Sequence, residues 1–538
     1  MRQKSTQQTE FPILLTVSGL IILGTIITRL IPGLRTIDDA FITYRYARNI
    51  LAGYGFTYNP GEFIQGTTTP LFTLLLTLIG LFTGGPAAPF PWIALLLSTA
   101  ADALTALLLI KFGQRLGRPT AGTAAAAAWM IAPFSVTFAV GGLETSLYIL
   151  LLTASAYFYL KRHLRLTALL TAFALITRPD ALILAALLIG DRLRIQYLSY
   201  RKGPIQNPFF TRELMVEVLT FLLPLAFWYG FAWLYFGSPI PHSVTAKTIA
   251  YRLSTTAGLT RLLQHYATPF LGQHTFGIRW IPIGLILYPF LCLLGSRAAW
   301  KTNRRSLPWL IYPWLYLVVF AAANPLIFRW YLSPPLPAYF LTIMIGLENL
   351  IENLARLLPV KLPDDKENKL NYYALTALLI PVAMSLQAWT LTPDHGPSRP
   401  APKMAFIKLE QLYQSASQII LADLRQAGEP AGLLGPVLAA GDVGVMGYRT
   451  GLPILDTVGL NSAQAVDYYP LPEQAYTINY AVPADLILDH RPEYLVILEI
   501  YGRNTLLPNQ NFQEKYFLLE RIPTDMYSSR GMLILKQR

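Results

Sequence analysis

The sequence predicts an α-helical polytopic membrane protein of about eleven spans with a C-terminal extracytoplasmic α/β domain. Three observations carry that expectation. Of 538 residues, 53% are hydrophobic and only 14% charged, against roughly 25% charged in an ordinary soluble domain. Apolar runs of about 20 residues, the length that crosses a bilayer, recur from Phe11 to Thr390. After Pro393 the chain regains a normal mix of charge, Pro and Gly. The expected division is therefore a membrane region, residues 1–392, and a soluble domain, residues 393–538.

The elements follow in order. Arg2 and Lys4 precede an apolar stretch, 11–31, that is too long for a signal-peptide core and lacks a small-x-small cleavage site, so it reads as a retained helix starting in the cytoplasm. Residues 33–89 form the first outer loop. Further spans are expected at 90–110, 120–139, 145–160, 215–236, 279–296, 307–323, 331–352 and 371–390. The short apolar segment 70–82 is laid along the outer surface, which keeps Lys111, Arg115 and Arg118 inside. Residues 167–190 carry Arg178-Pro179-Asp180 at their middle and basic flanks at both ends. A hairpin of two helices breaking at Pro179 keeps both flanks cytoplasmic and puts Arg178 and Asp180 at the turn.

The formal charge of +13 gathers in short loops between apolar runs, as topology determinants do, which argues against a nucleic-acid partner. Membrane lipids are the expected surroundings. The resulting topology is a multi-pass plasma-membrane protein with a cytoplasmic N-terminus and an extracytoplasmic C-terminal domain. The single cysteine, Cys292, lies inside an apolar run. In the soluble domain, 403–426 has helical spacing, and 437–440, 453–455 and 494–498 read as short buried strands. The glycines between them do not form a dinucleotide fingerprint.

Asp38-Asp39 directly follows the first span and opens a helical pattern, 40–52. An Asp in that place caps a helix; it can also present a carboxylate to an outer cavity. The roles are compatible within one acidic pair. Six scattered histidines show no ligand spacing, and the pair alone cannot complete a divalent site. No metal residues are assigned; no cofactor is expected, and a divalent ion is left open.

The run DDAFITYRYARNILAGYGFTYNPGEFIQGTTTPLF, residues 38–72, resembles the first outer loop of polyprenyl-phosphate-dependent membrane glycosyltransferases of the GT-C fold, in particular the mycobacterial terminal arabinofuranosyltransferase family and its bacterial relatives. GGLET (141–145), TRPDA (177–181), YFGSPIPHSVTAK (235–247) and GYRTGLPILDTVGL (447–460) follow in the family's order. The chain departs from the pattern at Gln65, Thr69 and Phe72, where relatives carry Glu, Asn and Trp. The transferred sugar therefore need not be arabinose.

The resemblance implies a GT-C glycosyltransferase that moves a sugar from a polyprenyl-phosphate donor to an acceptor hydroxyl on a glycan, lipid or protein of the cell envelope, with inversion. Deprotonating that hydroxyl calls for a carboxylate, assigned to Asp38 with Asp39 as alternative or partner. The phosphate leaving group calls for cations, assigned to Arg178, Lys247 and Arg329, with His242 as a further donor. Glu144, Asp180, Gln65 and Tyr44 are expected to bind sugar or acceptor. A transporter or flippase of a polyprenol-linked envelope intermediate is the alternative, since broken helices and buried charge also mark transport sites.

Overall fold

Hydropathy and proline placement set the helices of the membrane region. The computed structural model describes residues 2–203, 208–270, 276–357 and 404–538; the expected span at 371–390 and the boundary at 392 lie outside them. The helices run α1 (Arg2–Leu30), α2 (Asp38–Leu51), α3 (Pro70–Thr83), α4 (Phe90–Arg115), α5 (Pro119–Ile131), α6 (Pro133–Val140), α7 (Thr145–Leu160), α8 (Leu164–Thr177), α9 (Leu182–Lys202), α10 (Arg212–Phe236), α11 (His242–Ala250), α12 (Ala257–Ala267), α13 (Trp280–Thr302), α14 (Leu307–Ala323) and α15 (Leu336–Leu357). Among the described residues, four helices are long and apolar enough to cross a membrane, five with the bent pair α5–α6. On α10, Phe227 and Leu234 are 81% and 90% exposed. An apolar face that open belongs against lipid, as in a multi-pass membrane protein.

The expected single span at 120–139 is two helices bent by 50° at Ala132-Pro133. Pro133 has no N–H for the Trp129 carbonyl, four residues back. The Ser135 hydroxyl donates to that carbonyl at 2.5 Å, and Arg29, at the end of α1, adds further donors: its guanidinium bonds the carbonyls of Met130 (2.6 Å) and Trp129 (3.2 Å) and the hydroxyl oxygen of Ser135 (2.8 Å). Its charge is met by Asp102 of α4 at 2.9 Å, both side chains fully buried. The helix at 331–352 starts later than expected, at Leu336, after a 3₁₀ turn (Arg329–Leu332) and Pro334-Pro335. It crosses α13 where Gly295 and Gly346 face each other's helix; a Cβ on Gly346 would stand 1.9 Å from the Leu291 carbonyl oxygen, so only small residues allow this approach.

At Arg178 the chain leaves helix and turns back through a 3₁₀ turn (Pro179–Ala181). The starts of α8 and the middle of α9 line one cavity, so the two helices diverge from a shared turn as a splayed hairpin. α8 packs on α7 and α10, whereas α9 packs on α14.

The C-terminal region opens with α16 (Met404–Ala427) and holds a five-stranded sheet, ordered β2-β1-β3-β5-β4, of β1 (Leu438–Ala440), β2 (Ile454–Asp456), β3 (Tyr494–Leu498), β4 (Tyr516–Ile522) and β5 (Met532–Gln537). The first three pair in parallel; β5 runs antiparallel between β3 and β4. β4 and β5 extend the three expected strands. A short helix, α17 (Gly444–Thr450), connects β1 to β2. One hydrophobic core includes Phe41, Tyr44 and Tyr58 of the first outer loop together with Met446, Leu452 and Val496, so loop and sheet fold as one packed body.

Candidate functional site

The acidic pair divides its labour. Asp38 occupies the first helical position of α2, after Ile37 at the N-cap. It does not cap that helix. Its two oxygens accept N–H bonds from Gly444 (2.8 Å) and Val445 (2.7 Å), at the start of α17, and its own N–H donates to Glu410 Oε1 at 2.6 Å. A Cβ on Gly444 would stand 1.8 Å from the Asp38 carbonyl oxygen; only glycine permits the approach. Asp38 is 4% exposed, whereas the Asp39 side chain is 34% exposed and its Oδ2 lies 3.9 Å from Lys247 Nζ. Of the two carboxylates named for the base, Asp38 is thus held by backbone N–H groups, one on each oxygen, and Asp39 is the more open.

Asp39 and Trp330 line two cavities at once. The first, about 240 Å³, is walled by Thr67, Thr68, Thr69, Glu144, Arg178, Asp180, Lys247 and Tyr331. Here Arg178 holds Asp180 in a fork, Nε to Oδ1 at 2.9 Å and Nη2 to Oδ2 at 3.2 Å, and reaches Glu144 Oε1 at 3.3 Å. Its guanidinium lies 4.9 Å from the Tyr148 ring centre and 4.6 Å from that of Tyr331. Two carboxylates and two aromatic faces commit this cation to holding the hairpin turn against α7. Lys247, above the Phe328 ring at 4.9 Å, is the less committed cation of this cavity.

The second cavity, about 300 Å³, lies between the membrane region and the C-terminal region. Asp38, Asp39, Glu410 and Asp442 line it together with Tyr251, Tyr480, Tyr501, Tyr527, Arg261 and Arg329. Burial, then the neighbouring Asp442, pushes the Asp38 carboxyl well above the usual range, while the Val445 and Gly444 N–H groups pull it down. Burial, then Asp38, pushes Glu410 up. Asp442, which accepts the Tyr413 hydroxyl at 2.8 Å, is pushed up to about 6, chiefly by burial. These acids crowd one buried place, so protonation of some of them relieves the repulsion.

Asp39, Glu144, Arg178, Asp180 and Lys247 therefore converge. Arg329, expected beside Arg178, lies instead in the second cavity with Arg261, because the turn carrying it faces the C-terminal region. Three expected residues line neither cavity. Tyr44 is fully buried, its hydroxyl bonded to the Gly142 carbonyl at 3.0 Å, and serves as a core strut. Gln65 is 3% exposed, and its carbonyl accepts the His242 N–H at 2.9 Å. The His242 side chain is partly buried at the start of α11, out of the cavity walls. Glu410, Asp442, Arg261 and Tyr251 were not expected at all. Their spacing carries no motif; only the Asp442-x-Gly444 step after a buried strand hints at a ligand-facing loop. Among the described residues, no group of three or more His, Cys, Asp or Glu side chains is placed to hold a metal ion.

The recurring sequence pieces meet in space. GGLET and TRPDA supply the Glu144–Arg178 pair. YFGSPIPHSVTAK supplies Lys247 opposite Asp39. The first outer loop and GYRTGLPILDTVGL are two sides of one seam: Asn59 bonds both the carbonyl (2.8 Å) and the N–H (3.1 Å) of Ile454, Arg45 bonds the Leu452 carbonyl (2.8 Å), and Arg48 bonds the Tyr448 carbonyl (2.8 Å).

Known proteins share this architecture. A family described as a domain of unknown function (DUF8728) matches residues 408–533. The terminal β-(1→2)-arabinofuranosyltransferase of Mycobacterium tuberculosis is 33% identical over 117 residues, 20% of this chain and 18% of that protein. This chain thus matches less than a fifth of the curated relative's length. ArnT from Cupriavidus metallidurans, solved in the apo state, is similar in structure with a TM-score of 0.53 at 13% identity, covering 98% of each chain. The archaeal oligosaccharyltransferase AglB from Archaeoglobus fulgidus, solved with an inhibitory peptide and a dolichol-phosphate, gives 0.53 at 11% identity over 90% of this chain and 69% of that one. At such identities the likeness is one of architecture, and the chain has the GT-C fold anticipated from its sequence pieces.

Proposed function

We propose that this protein is a membrane glycosyltransferase that moves a sugar from a polyprenyl-phosphate donor to an acceptor hydroxyl of the cell envelope. The single observation that carries the reading is the place of Asp39, on the wall common to two cavities. The first cavity is walled almost wholly by the membrane region, the side from which a lipid-borne donor arrives. The second is roofed by the C-terminal region, the side from which an envelope acceptor arrives.

In this scheme the acceptor oxygen attacks the anomeric carbon from the face opposite the phosphate, so the configuration inverts. Asp39 takes the acceptor proton as the bond forms. The bond from the anomeric carbon to the phosphate oxygen breaks, and polyprenyl phosphate leaves with the electron pair. Lys247, within reach of Asp39, offsets the charge growing on the phosphate. The threonine hydroxyls at 67–69, with Glu144 and Asp180, suit a sugar's hydroxyls. Arg178 acts as a positioning residue that holds those two carboxylates. The tyrosines of the second cavity offer flat faces and hydroxyls to an acceptor glycan. Such a reading assigns residues 1–392 to the catalytic membrane domain and 393–538 to an extracytoplasmic acceptor-side domain. It also carries the topology of eleven spans with a cytoplasmic N-terminus.

The test is transfer by the purified full chain, given labelled polyprenyl-phosphate sugars and envelope glycan acceptors. A positioned general base contributes about 10² to 10⁴ in rate, so Asp39→Asn is expected to lose that much turnover while folding normally. Equal turnover by wild type and Asp39→Asn would remove Asp39 from the reaction. Labelled donor carried across a sealed vesicle without glycosidic bond formation would establish the transporter instead.

A further inference from the structure

The end of the membrane region opposite Asp39 holds a built site that sugar transfer does not use. A cavity of about 860 Å³ opens at the foot of α8 and α9, and Arg162, His163, Arg165, Arg192, Glu213 and Glu217 supply its charged and imidazole groups. Arg192 is spent on Glu217, with Nε to Oε2 at 2.8 Å. Among the described residues, Arg162 and Arg165 make no ion pair within 4 Å, and both are exposed. Two uncommitted cations therefore face one acid, Glu213.

A second cavity, about 290 Å³, adjoins the first and shares Leu164, Arg192 and Glu217 with it. Apart from these, and from Tyr159, Thr167 and Thr171, whose hydroxyls are bonded to Asp191 and to helix carbonyls, its walls are apolar along α8, α9 and α10, including Ala168, Leu188, Ile189, Val218 and Phe221. A charged cavity thus runs into an apolar one at the end of a membrane-spanning bundle. A soluble anion has no use for the apolar half, and a hydrocarbon has none for the arginines.

We propose that this pair of cavities binds one anionic phospholipid, its phosphate on Arg162 and Arg165 and an acyl chain between α8, α9 and α10. Basic pockets between membrane helices recognise anionic headgroups in this way. The site lies one length of α8, roughly 20 Å at 1.5 Å per residue, from Arg178. An occupant would therefore brace the splayed hairpin that carries the Arg178 turn, from its other end.

The delipidated full chain in detergent is titrated with dioleoyl-phosphatidylglycerol, dioleoyl-phosphatidylcholine or inorganic phosphate, and bound lipid is counted by native mass spectrometry. Phosphatidylglycerol should bind saturably at one site, with phosphatidylcholine at least tenfold weaker and inorganic phosphate unable to displace it. A basic residue near an anionic headgroup is worth about fivefold in affinity, so the double substitution Arg162→Gln/Arg165→Gln should weaken phosphatidylglycerol by about thirtyfold. Ala168→Phe, which fills the apolar half and leaves both arginines, should weaken it as well. Unfolding midpoints without lipid, unchanged in both variants, show that the fold is intact. Equal binding of the two lipids by wild type, or wild-type affinity in the double variant, would overturn the proposal. Displacement by inorganic phosphate together with wild-type affinity in Ala168→Phe would show a bare anion site and overturn it too.

Discussion

Asp38→Asn separates the two members of the acidic pair. The Asp38 carboxylate accepts the N–H groups of Gly444 and Val445, one on each oxygen. An amide in its place offers one acceptor and one donor, so one of those buried N–H groups is left facing an NH₂. An unsatisfied buried donor costs about 1 to 3 kcal/mol. Removing the Asp38 charge relieves its repulsion with Asp442, which places the net loss toward the lower half of that range. The loss falls on the docking of α17 against α2. Amide hydrogen exchange at Gly444 and Val445 reads it directly, and about 1.5 kcal/mol corresponds to roughly tenfold faster exchange. Sugar transfer by the folded protein should fall far less than in Asp39→Asn. Unchanged exchange at 444–445, combined with a hundredfold or greater loss of transfer, would refute the reasoning and return the base to Asp38.

Three further outcomes follow from the same geometry. Arg178→Gln strands Glu144 and Asp180 together in a buried place, so it should cost about 3 to 5 kcal/mol of stability. In thermal unfolding, the loss of folded protein should exceed any loss of donor affinity in the fraction that folds. Arg29→Met leaves Asp102 buried without its partner and takes the arginine from the Met130 carbonyl at the Pro133 break, for a similar cost; Arg29→Met/Asp102→Leu should recover most of it. Asp442 is raised from the ordinary carboxylate range to about 6 in the folded chain. Its contribution to stability is therefore present at about pH 4 and lost as pH rises through about 6, on the order of 2 to 3 kcal/mol. Unfolding midpoints measured from pH 4 to 7 should show that decline in wild type and a flatter profile in Asp442→Asn.

What could be read in advance depended on whether the physics was local. Helix α7 was expected at 145–160 and runs over Thr145–Leu160, because hydropathy and length are properties of a contiguous run. The break at Arg178-Pro179 was legible for the same reason, as Pro removes a donor wherever it stands. The bend at Pro133 was not anticipated, although the proline is in plain view. Ser135 holds the Trp129 carbonyl locally, but the charged group that ties the break together, on the Met130 carbonyl as well, is Arg29, about a hundred residues earlier. The motif pieces were recognisable, but their reason for recurring together was not. Asp38 meets Gly444, and Asn59 meets Ile454, across most of the chain. Tyr44 and Gln65 were assigned to substrate through the resemblance, and their burial, set by partners far along the chain, is not legible in the motif itself. Glu410 and Arg261 lie in unremarkable sequence and acquire meaning only once the C-terminal region is folded over the membrane helices.

The central claim is that donor and acceptor meet across Asp39, and a structure of the full chain with a bound polyprenyl phosphate tests it most directly. The account predicts phosphate density in the cavity walled by Lys247, Arg178 and Thr67–Thr69, within hydrogen-bonding reach of Lys247, with the prenyl chain leaving toward the bilayer. Phosphate seated away from Asp39, or a donor bound on the far side of the Arg178 turn, would contradict it.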